Sequence, residues 1–128
     1  MNVIFIEDDP MNRRVVGDML NVAGATMTEA ESGEIGLKLI DESDFDMALV
    51  DLRMPGMDGI TAIKAIRARN DAKAKLPIIV VTADTALDLR ERCLAAGADE
   101  VLFKPVAMDA LFEAMGRILA GGDGDMIL

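Results

Sequence analysis

The chain has 128 residues, a length at which one compact domain with a single core is expected. Apolar residues make up 52% of it and charged residues 28%, a balance that argues against disorder and predicts a buried core. Asp and Glu outnumber Lys and Arg by 23 to 13, and the formal charge of −10 argues against direct contact with DNA phosphates or anionic lipids.

The single cysteine, Cys93, cannot form an internal disulfide, and we expect it to be a small core residue. The chain opens on an apolar strand pattern without a secretion signal. Its longest apolar runs fall far short of the ~20 residues that a membrane span needs. We therefore expect a protein of the cytoplasm without membrane insertion.

Short apolar runs without polar alternation are typical of parallel strands covered by helices on both faces. In chain order these strands are predicted at Val3–Ile6, Thr26–Glu29, Met47–Val50, Ile78–Val81 and Val101–Phe103, the second being the weakest. Helical patterns lie between and after them, at about residues 10–23, 33–42, 59–69, 86–96 and 108–119. Asp9 before Pro10 suits a helix start, and Gly24, Gly97 and Gly121 suit helix ends.

Five alternations of strand and helix predict an α/β fold, a doubly wound five-stranded parallel sheet inside a three-layer sandwich. The flavodoxin-like (βα)5 strand order 2-1-3-4-5 is the favoured arrangement. We expect one domain at residues 1–120 and a flexible glycine-rich tail at 121–128. Ligands of such sheets bind beyond the carboxyl ends of the strands where the winding reverses, here above the first and third strands.

Polar side chains follow the predicted strands at that edge. They are Glu7, Asp8, Asp51, Thr82 and Lys104. Three crowded carboxylates need a compensating cation, and an all-oxygen ligand set suits Mg²⁺. A carboxylate beside Mg²⁺ can attack phosphorus, so Asp51 is the candidate nucleophile. Lys104 and Thr82 fit the neutralisation and hydrogen bonding of the remaining phosphoryl oxygens.

Four segments together resemble the signature of response-regulator receiver domains, the CheY-like family, over nearly the whole chain. They are Glu7-Asp8, the stretch from Asp51 to Gly59, Thr82-Ala83 and Lys104-Pro105. The resemblance implies that Asp51 accepts a phosphoryl group from a histidine of a sensor kinase or of a histidine phosphotransfer protein. It also implies that Asp8, Asp51 and the backbone carbonyl of Arg53 bind Mg²⁺, with Glu7 assisting. Thr82 and Lys104 would bind the phosphoryl group, with a cis bond between Lys104 and Pro105.

The sequence departs from this family at two positions. Glu7 stands where many members carry Asp, and Val101 stands where many carry the Tyr or Phe that moves during switching. Phe103, on the same face of the strand as Val101, is interpreted as a packing residue. Arg53 and Asp84 occupy positions that resemble those tuning phosphoryl lifetime, and we expect them to form an ion pair. Arg53, Asp84 and Val101 are therefore the candidate modulators.

The favoured interpretation is a phosphorylation-dependent switch, a signalling module with self-catalysed phosphoryl transfer and hydrolysis rather than an enzyme. Its output would be a changed surface at the fourth helix, fifth strand and fifth helix, recognised by a downstream protein target. One alternative is the receiver module of a hybrid histidine kinase, but a chain ending after the fifth helix favours a free-standing regulator. Another is a Mg²⁺-dependent phosphatase with an aspartyl-phosphate intermediate, but Arg53 stands where such enzymes carry a second aspartate. A third is a pseudo-receiver that signals without phosphate, which the complete residue set argues against.

Simpler structural roles are assigned to neighbouring residues of the same segments. Asp9 and Asp58 are interpreted as helix N-caps. Pro55 and Gly59 are interpreted as loop-shaping residues before the third helix.

Overall fold

The computed structural model describes the backbone of residues 1–124 and the side chains of residues 1–120. Five strands alternate with five α-helices. In chain order the elements are β1 (Asn2–Ile6), α1 (Pro10–Val22), β2 (Thr26–Ala30), α2 (Gly33–Glu42), β3 (Met47–Val50), α3 (Gly59–Arg67), a 3-10 helix (Ala72–Lys75), β4 (Ile78–Thr82), α4 (Leu89–Ala96), β5 (Glu100–Phe103) and α5 (Met108–Gly124).

The five strands form one parallel sheet in the order β2-β1-β3-β4-β5, which confirms the predicted flavodoxin-like topology. In this register Ile6, the last residue of β1, lies opposite Val50, the last residue of β3. The Asp51 amide continues the pairing and donates to the Ile6 carbonyl at 2.9 Å. The chain therefore leaves β1 and β3 side by side, at the edge where the winding reverses.

Alternate residues of the strands pack on opposite faces of the sheet, as the pleat requires. On one face Ile6, Val50 and Val80 belong to a core cluster with side chains of α2, α3 and α4. On the other face Phe5 and Val81 belong to a cluster with side chains of α1 and α5. The uninterrupted apolar runs of the sequence therefore follow from burial on both faces.

Cys93 is fully buried in the cluster on the α2, α3 and α4 face, which confirms the packing role predicted for it. None of the helices within residues 1–124 is long and apolar enough to cross a membrane.

Helix ends differ from the predicted ones where local hydrogen bonds compete with the helix. The helix predicted from residue 86 begins at Leu89, because Asp84 accepts from the Ala86 amide and holds the chain in a turn. The helix predicted to residue 69 ends at Arg67, and the 3-10 helix after it had no distinct sequence signal.

Glycines at three predicted helix ends behave differently. Gly24 (φ 77°) and Gly97 (φ 118°) take the left-handed conformation at the ends of α1 and α4. The predicted end at Gly121 is wrong, since α5 continues to Gly124. A helical glycine costs only about 1 kcal/mol relative to alanine, too little to stop a helix by itself. Residues 125–128 of the predicted tail lie outside the described residues.

Candidate functional site

The three predicted carboxylates meet at the carboxyl edge of the sheet. Among the described residues, Glu7, Asp8 and Asp51 each offer a carboxylate oxygen within 4.8 Å of the others. Glu7 and Asp51 are buried and Asp8 is exposed. The site therefore has an enclosed interior and one acid open to solvent.

Lys104 reaches this cluster from the far end of the sequence. Its Nζ lies 2.6 Å from Oε1 of Glu7 and 3.4 Å from Oδ2 of Asp51. The Lys104–Pro105 peptide bond is cis, as the resemblance implied. Burial alone would lower the pKa of Lys104, but its hydrogen bond with Glu7 and its attraction to Asp51 raise that pKa above the usual value. The side chain is therefore a stable ammonium ion.

The charges of the cluster do not balance. Three carboxylates face one lysine, and burial together with a hydrogen bond to Asp51 raises the pKa of Glu7 above its usual value, despite the opposing effect of Lys104. A divalent cation would remove this excess of negative charge. The donor atoms are oxygens only, so the cluster fits Mg²⁺ better than a metal that prefers nitrogen or sulfur.

Thr82 ends β4 at the same edge and is fully buried. Its Oγ1 accepts a hydrogen bond of 3.1 Å from the Asp84 amide. The Asp84 carboxylate lies 3.2 Å from Nη2 of Arg53, so the predicted ion pair is present. A hydrogen bond from the Ala86 amide and the ion pair with Arg53 lower the pKa of Asp84. The pair joins the loop after β3 to the loop before α4, and both residues line a cleft of about 530 Å³ between these segments.

The loop between β3 and α3 is held tightly against Asp51. Asp58 caps α3 by accepting from the Thr61 amide at 2.8 Å, and Asp9 caps α1 by accepting from the Met11 amide at 2.9 Å, both as predicted. A Cβ on Gly59 would lie 2.4 Å from the Asp51 carbonyl oxygen, a distance that real side chains do not tolerate. Glycine is therefore required where α3 begins.

The family model described as "Response regulator receiver domain" matches residues 3–116 of this chain. The chain belongs to this family. It is therefore a CheY-like receiver domain, a signalling module of two-component systems.

Two relatives of this receiver domain are much longer proteins. It is 37% identical over 111 residues to a cyclic di-GMP phosphodiesterase of Thermotoga maritima, covering 87% of this chain and 29% of the relative. It is 33% identical over 115 residues to the sensor histidine kinase RcsC of Escherichia coli K12, covering 90% of this chain and 12% of the kinase. The chain thus spans less than a third of the length of either relative.

A solved receiver domain of a Pseudomonas aeruginosa PAO1 sensor histidine kinase has the same fold. It superposes with a TM-score of 0.84 at 31% identity, over 93% of this chain and 97% of the other. That structure holds a magnesium ion coordinated in its active-site cleft.

The fifth strand of this receiver domain departs from the sequence-based expectation. Val101 is only 4% exposed and belongs to the core beside α4. Phe103 is 47% exposed, so its interpretation as a packing residue is wrong. Phe103 is the last residue of an edge strand, and alternation along a strand fixes its side of the sheet without ensuring that a helix covers it.

Two residues near the strand ends had no distinct sequence signal. Arg13 donates to the backbone carbonyl of Glu7, and Glu100 accepts from arginines of α4 and α5. A charged residue on a helix or at a strand start usually indicates a solvated surface. For the contact between Arg13 and the Glu7 carbonyl, the available sequence signal was the position of Arg13 shortly after the acidic pair.

Proposed function

We propose that this receiver domain accepts a phosphoryl group on Asp51 with the help of Mg²⁺ and thereby switches its α4–β5–α5 surface. The observation that carries the proposal is the charge arrangement around Asp51. A buried carboxylate stands between two further acids and a lysine, with more negative charge than the lysine compensates. Such an arrangement suits a metal ion on one side of Asp51 and an anionic phosphoryl group on the other.

The reaction would begin with attack of an Asp51 carboxylate oxygen on the phosphorus atom of a phosphohistidine. The new O–P bond forms as the P–N bond breaks, and the electron pair returns to the imidazole nitrogen, which takes up a proton. Lys104 pairs with one phosphoryl oxygen, and the Thr82 hydroxyl donates to another. Asp8, Asp51 and the backbone carbonyl of Arg53, with the help of Glu7, would hold Mg²⁺, which would neutralise phosphoryl charge when bound.

Loss of the phosphoryl group would follow from attack of water on the same phosphorus atom. That step breaks the bond to Asp51, restores its carboxylate and releases inorganic phosphate. Arg53 and Asp84 follow Asp51 and Thr82 by two residues each and form an ion pair with each other. By controlling the access of water to the phosphorus atom, these two residues would tune the lifetime of the phosphorylated state.

The donor is a sensor histidine kinase or a histidine phosphotransfer protein. A cleft of about 170 Å³ adjoins Lys104 and is lined by apolar residues that include Val15, Pro105 and Val106. Met11 and Val15 are exposed on the neighbouring face of α1. A helix that presents a histidine to Asp51 would bury these side chains as it docks.

The output is a protein contact rather than DNA binding, in keeping with the formal charge of −10. Leu87, Leu94 and Phe103 are exposed on α4, β5 and the loop that precedes α4. Movement of Thr82 towards the phosphoryl group would shift that loop, because Thr82 accepts from the Asp84 amide. A downstream protein then distinguishes the two states, in the cytoplasm.

A second setting is favoured by the similarity to RcsC, in which the matching segment makes up 12% of a sensor histidine kinase. In that setting the domain is the receiver module of a hybrid kinase and its donor or acceptor histidine lies in a linked or associated protein. The chemistry at Asp51 is the same in both settings.

The test is the mass of the intact protein after incubation with phosphoramidate and Mg²⁺. We expect the mass of one added phosphoryl group for the wild type, and none for Asp51→Asn or in the presence of EDTA. Asp58→Asn is the matched control, since it changes an aspartate of the same loop to a residue that also caps helices well. Absence of added mass in a folded wild type that binds Mg²⁺ would overturn phosphoryl acceptance from this small donor.

A further inference from the structure

Arg13 lies in the first turn of α1, directly behind the loop that carries the acidic pair. Its side chain is only 13% exposed. Nη1 donates to the backbone carbonyl oxygen of Glu7 at 2.8 Å, and Nε donates to the carboxylate of Glu29 at 3.0 Å. The guanidinium therefore joins α1 to the end of β1 and to β2.

Both backbone groups of Glu7 are fixed by neighbours on this side of the sheet. Its amide donates to the Ala30 carbonyl at 2.9 Å, and its carbonyl accepts from Arg13. The direction of that carbonyl sets the orientation of the following peptide and hence of Asp8. Without Arg13, the peptide between Glu7 and Asp8 would have no charged donor to hold it against the repulsion of the two acids.

The planar guanidinium suits this task better than an ammonium group would. Its nitrogens lie in a fixed planar fork that reaches two separated acceptors at once, whereas the three donors of a lysine share one nitrogen on a flexible stem. The partner Glu29 is more than half exposed, so water weakens the electrostatic effect of that pair. The contact that matters to the site is therefore the one with the Glu7 carbonyl.

We propose that Arg13 is a positioning residue for the metal site, holding the turn at Glu7 and Asp8 so that both carboxylates face the cation position. The proposal rests on the proposed function, because it assumes that the acidic cluster binds Mg²⁺. Residues that orient metal ligands from outside typically change metal affinity by about 10- to 100-fold when they are replaced. Loss of Arg13 should thus raise the Kd for Mg²⁺ by about tenfold.

The experiment measures the Kd for Mg²⁺ by backbone amide chemical shifts, and separately the rate of phosphorylation by phosphoramidate as Mg²⁺ is varied. For Arg13→Met we expect the higher Kd and, at saturating Mg²⁺, a rate close to that of the wild type. Arg14→Met is the matched control, because it removes the same charge from the next, exposed position of α1. Glu29→Gln is the second control, since it removes the ion pair and keeps the donor to Glu7.

Either control should leave the Kd unchanged, and Arg13→Lys should give a Kd between those of the wild type and Arg13→Met. A Kd for folded Arg13→Met equal to that of the wild type would overturn the positioning role, even if its melting temperature falls. If Arg13→Met does not fold, an unchanged Kd for Arg13→Lys would overturn it instead. If the wild type itself binds no Mg²⁺, the proposed function fails, and the Arg13 proposal fails with it.

Discussion

Two buried glutamates of this receiver domain differ in the charge of the side chains around them. Glu100 begins β5 and accepts from Arg90 of α4 and Arg117 of α5, each at 2.5 Å, and from the Val101 amide at 3.0 Å. Glu7 follows β1 and faces two further carboxylates and one lysine. One acid is fully compensated by the chain and the other is not.

The pKa values follow this difference. Burial alone would raise the pKa of Glu100, but the hydrogen bonds from Arg90, the Val101 amide and Arg117 bring that pKa below its usual value. Burial and the hydrogen bond with Asp51 raise the pKa of Glu7. The Glu100 carboxylate is matched by its own cations, whereas the three carboxylates that share Lys104 leave negative charge for a cation supplied from outside. Charge balance, rather than burial, distinguishes the structural acid from the site.

The largest expected effect on stability is that of Glu100→Gln. The change leaves two arginines facing a neutral amide, and hydrogen bonds between charged groups are worth about 1.5–3 kcal/mol. Because both arginines are half exposed, we expect a loss of about 1–2 kcal/mol in the free energy of unfolding at pH 7, measured by urea denaturation.

Glu113→Gln is the matched control for Glu100→Gln. Glu113 pairs with the same Arg117, but at 3.4 Å and on the exposed surface of α5. Its loss should cost less than about 0.5 kcal/mol. Equal losses of unfolding free energy for the two substitutions would show that the arginines do not stabilise the Glu100 carboxylate. The contrast drawn between Glu100 and Glu7 would then be wrong.

The contribution of Glu100 to stability should depend on pH. Because the pKa of Glu100 is lower in the folded state, its contribution to stability is present above the ordinary pKa and disappears as pH falls through the lowered one. The difference in unfolding free energy between wild type and Glu100→Gln should therefore be largest near neutral pH and shrink below about pH 4. A difference that grows on acidification would contradict the assigned direction.

Features that depend on order along the chain could be predicted from the sequence, and features that depend on side-chain reach could not. Strand ends fix which residues share an edge of a parallel sheet, so Lys104 could be assigned to the same site as Glu7 and Asp51. The contact of Arg13 with a backbone carbonyl leaves no periodic pattern.

The errors on the fifth strand and fifth helix have related causes. The exposure of Phe103 depends on how far α4 covers an edge strand, which strand alternation does not specify. The extension of α5 past Gly121 shows that a glycine without a competing turn does not end a helix. In both cases the contacts made in the folded protein, rather than the local sequence pattern, decide the structure.

Glu7→Gln is expected to cause no loss of stability, although Glu7 is the more deeply buried of the two glutamates. Removing one of three crowded negative charges relieves repulsion, so without Mg²⁺ the free energy of unfolding should stay the same or rise. Mg²⁺ should then stabilise the variant less than the wild type, because stabilisation by a ligand follows its affinity for the folded state. The check is a pair of urea denaturation curves, with EDTA and with Mg²⁺, for each protein. A loss in EDTA as large as that of Glu100→Gln would mean that Lys104 already compensates Glu7, and that the acidic cluster has no excess charge to attract a cation.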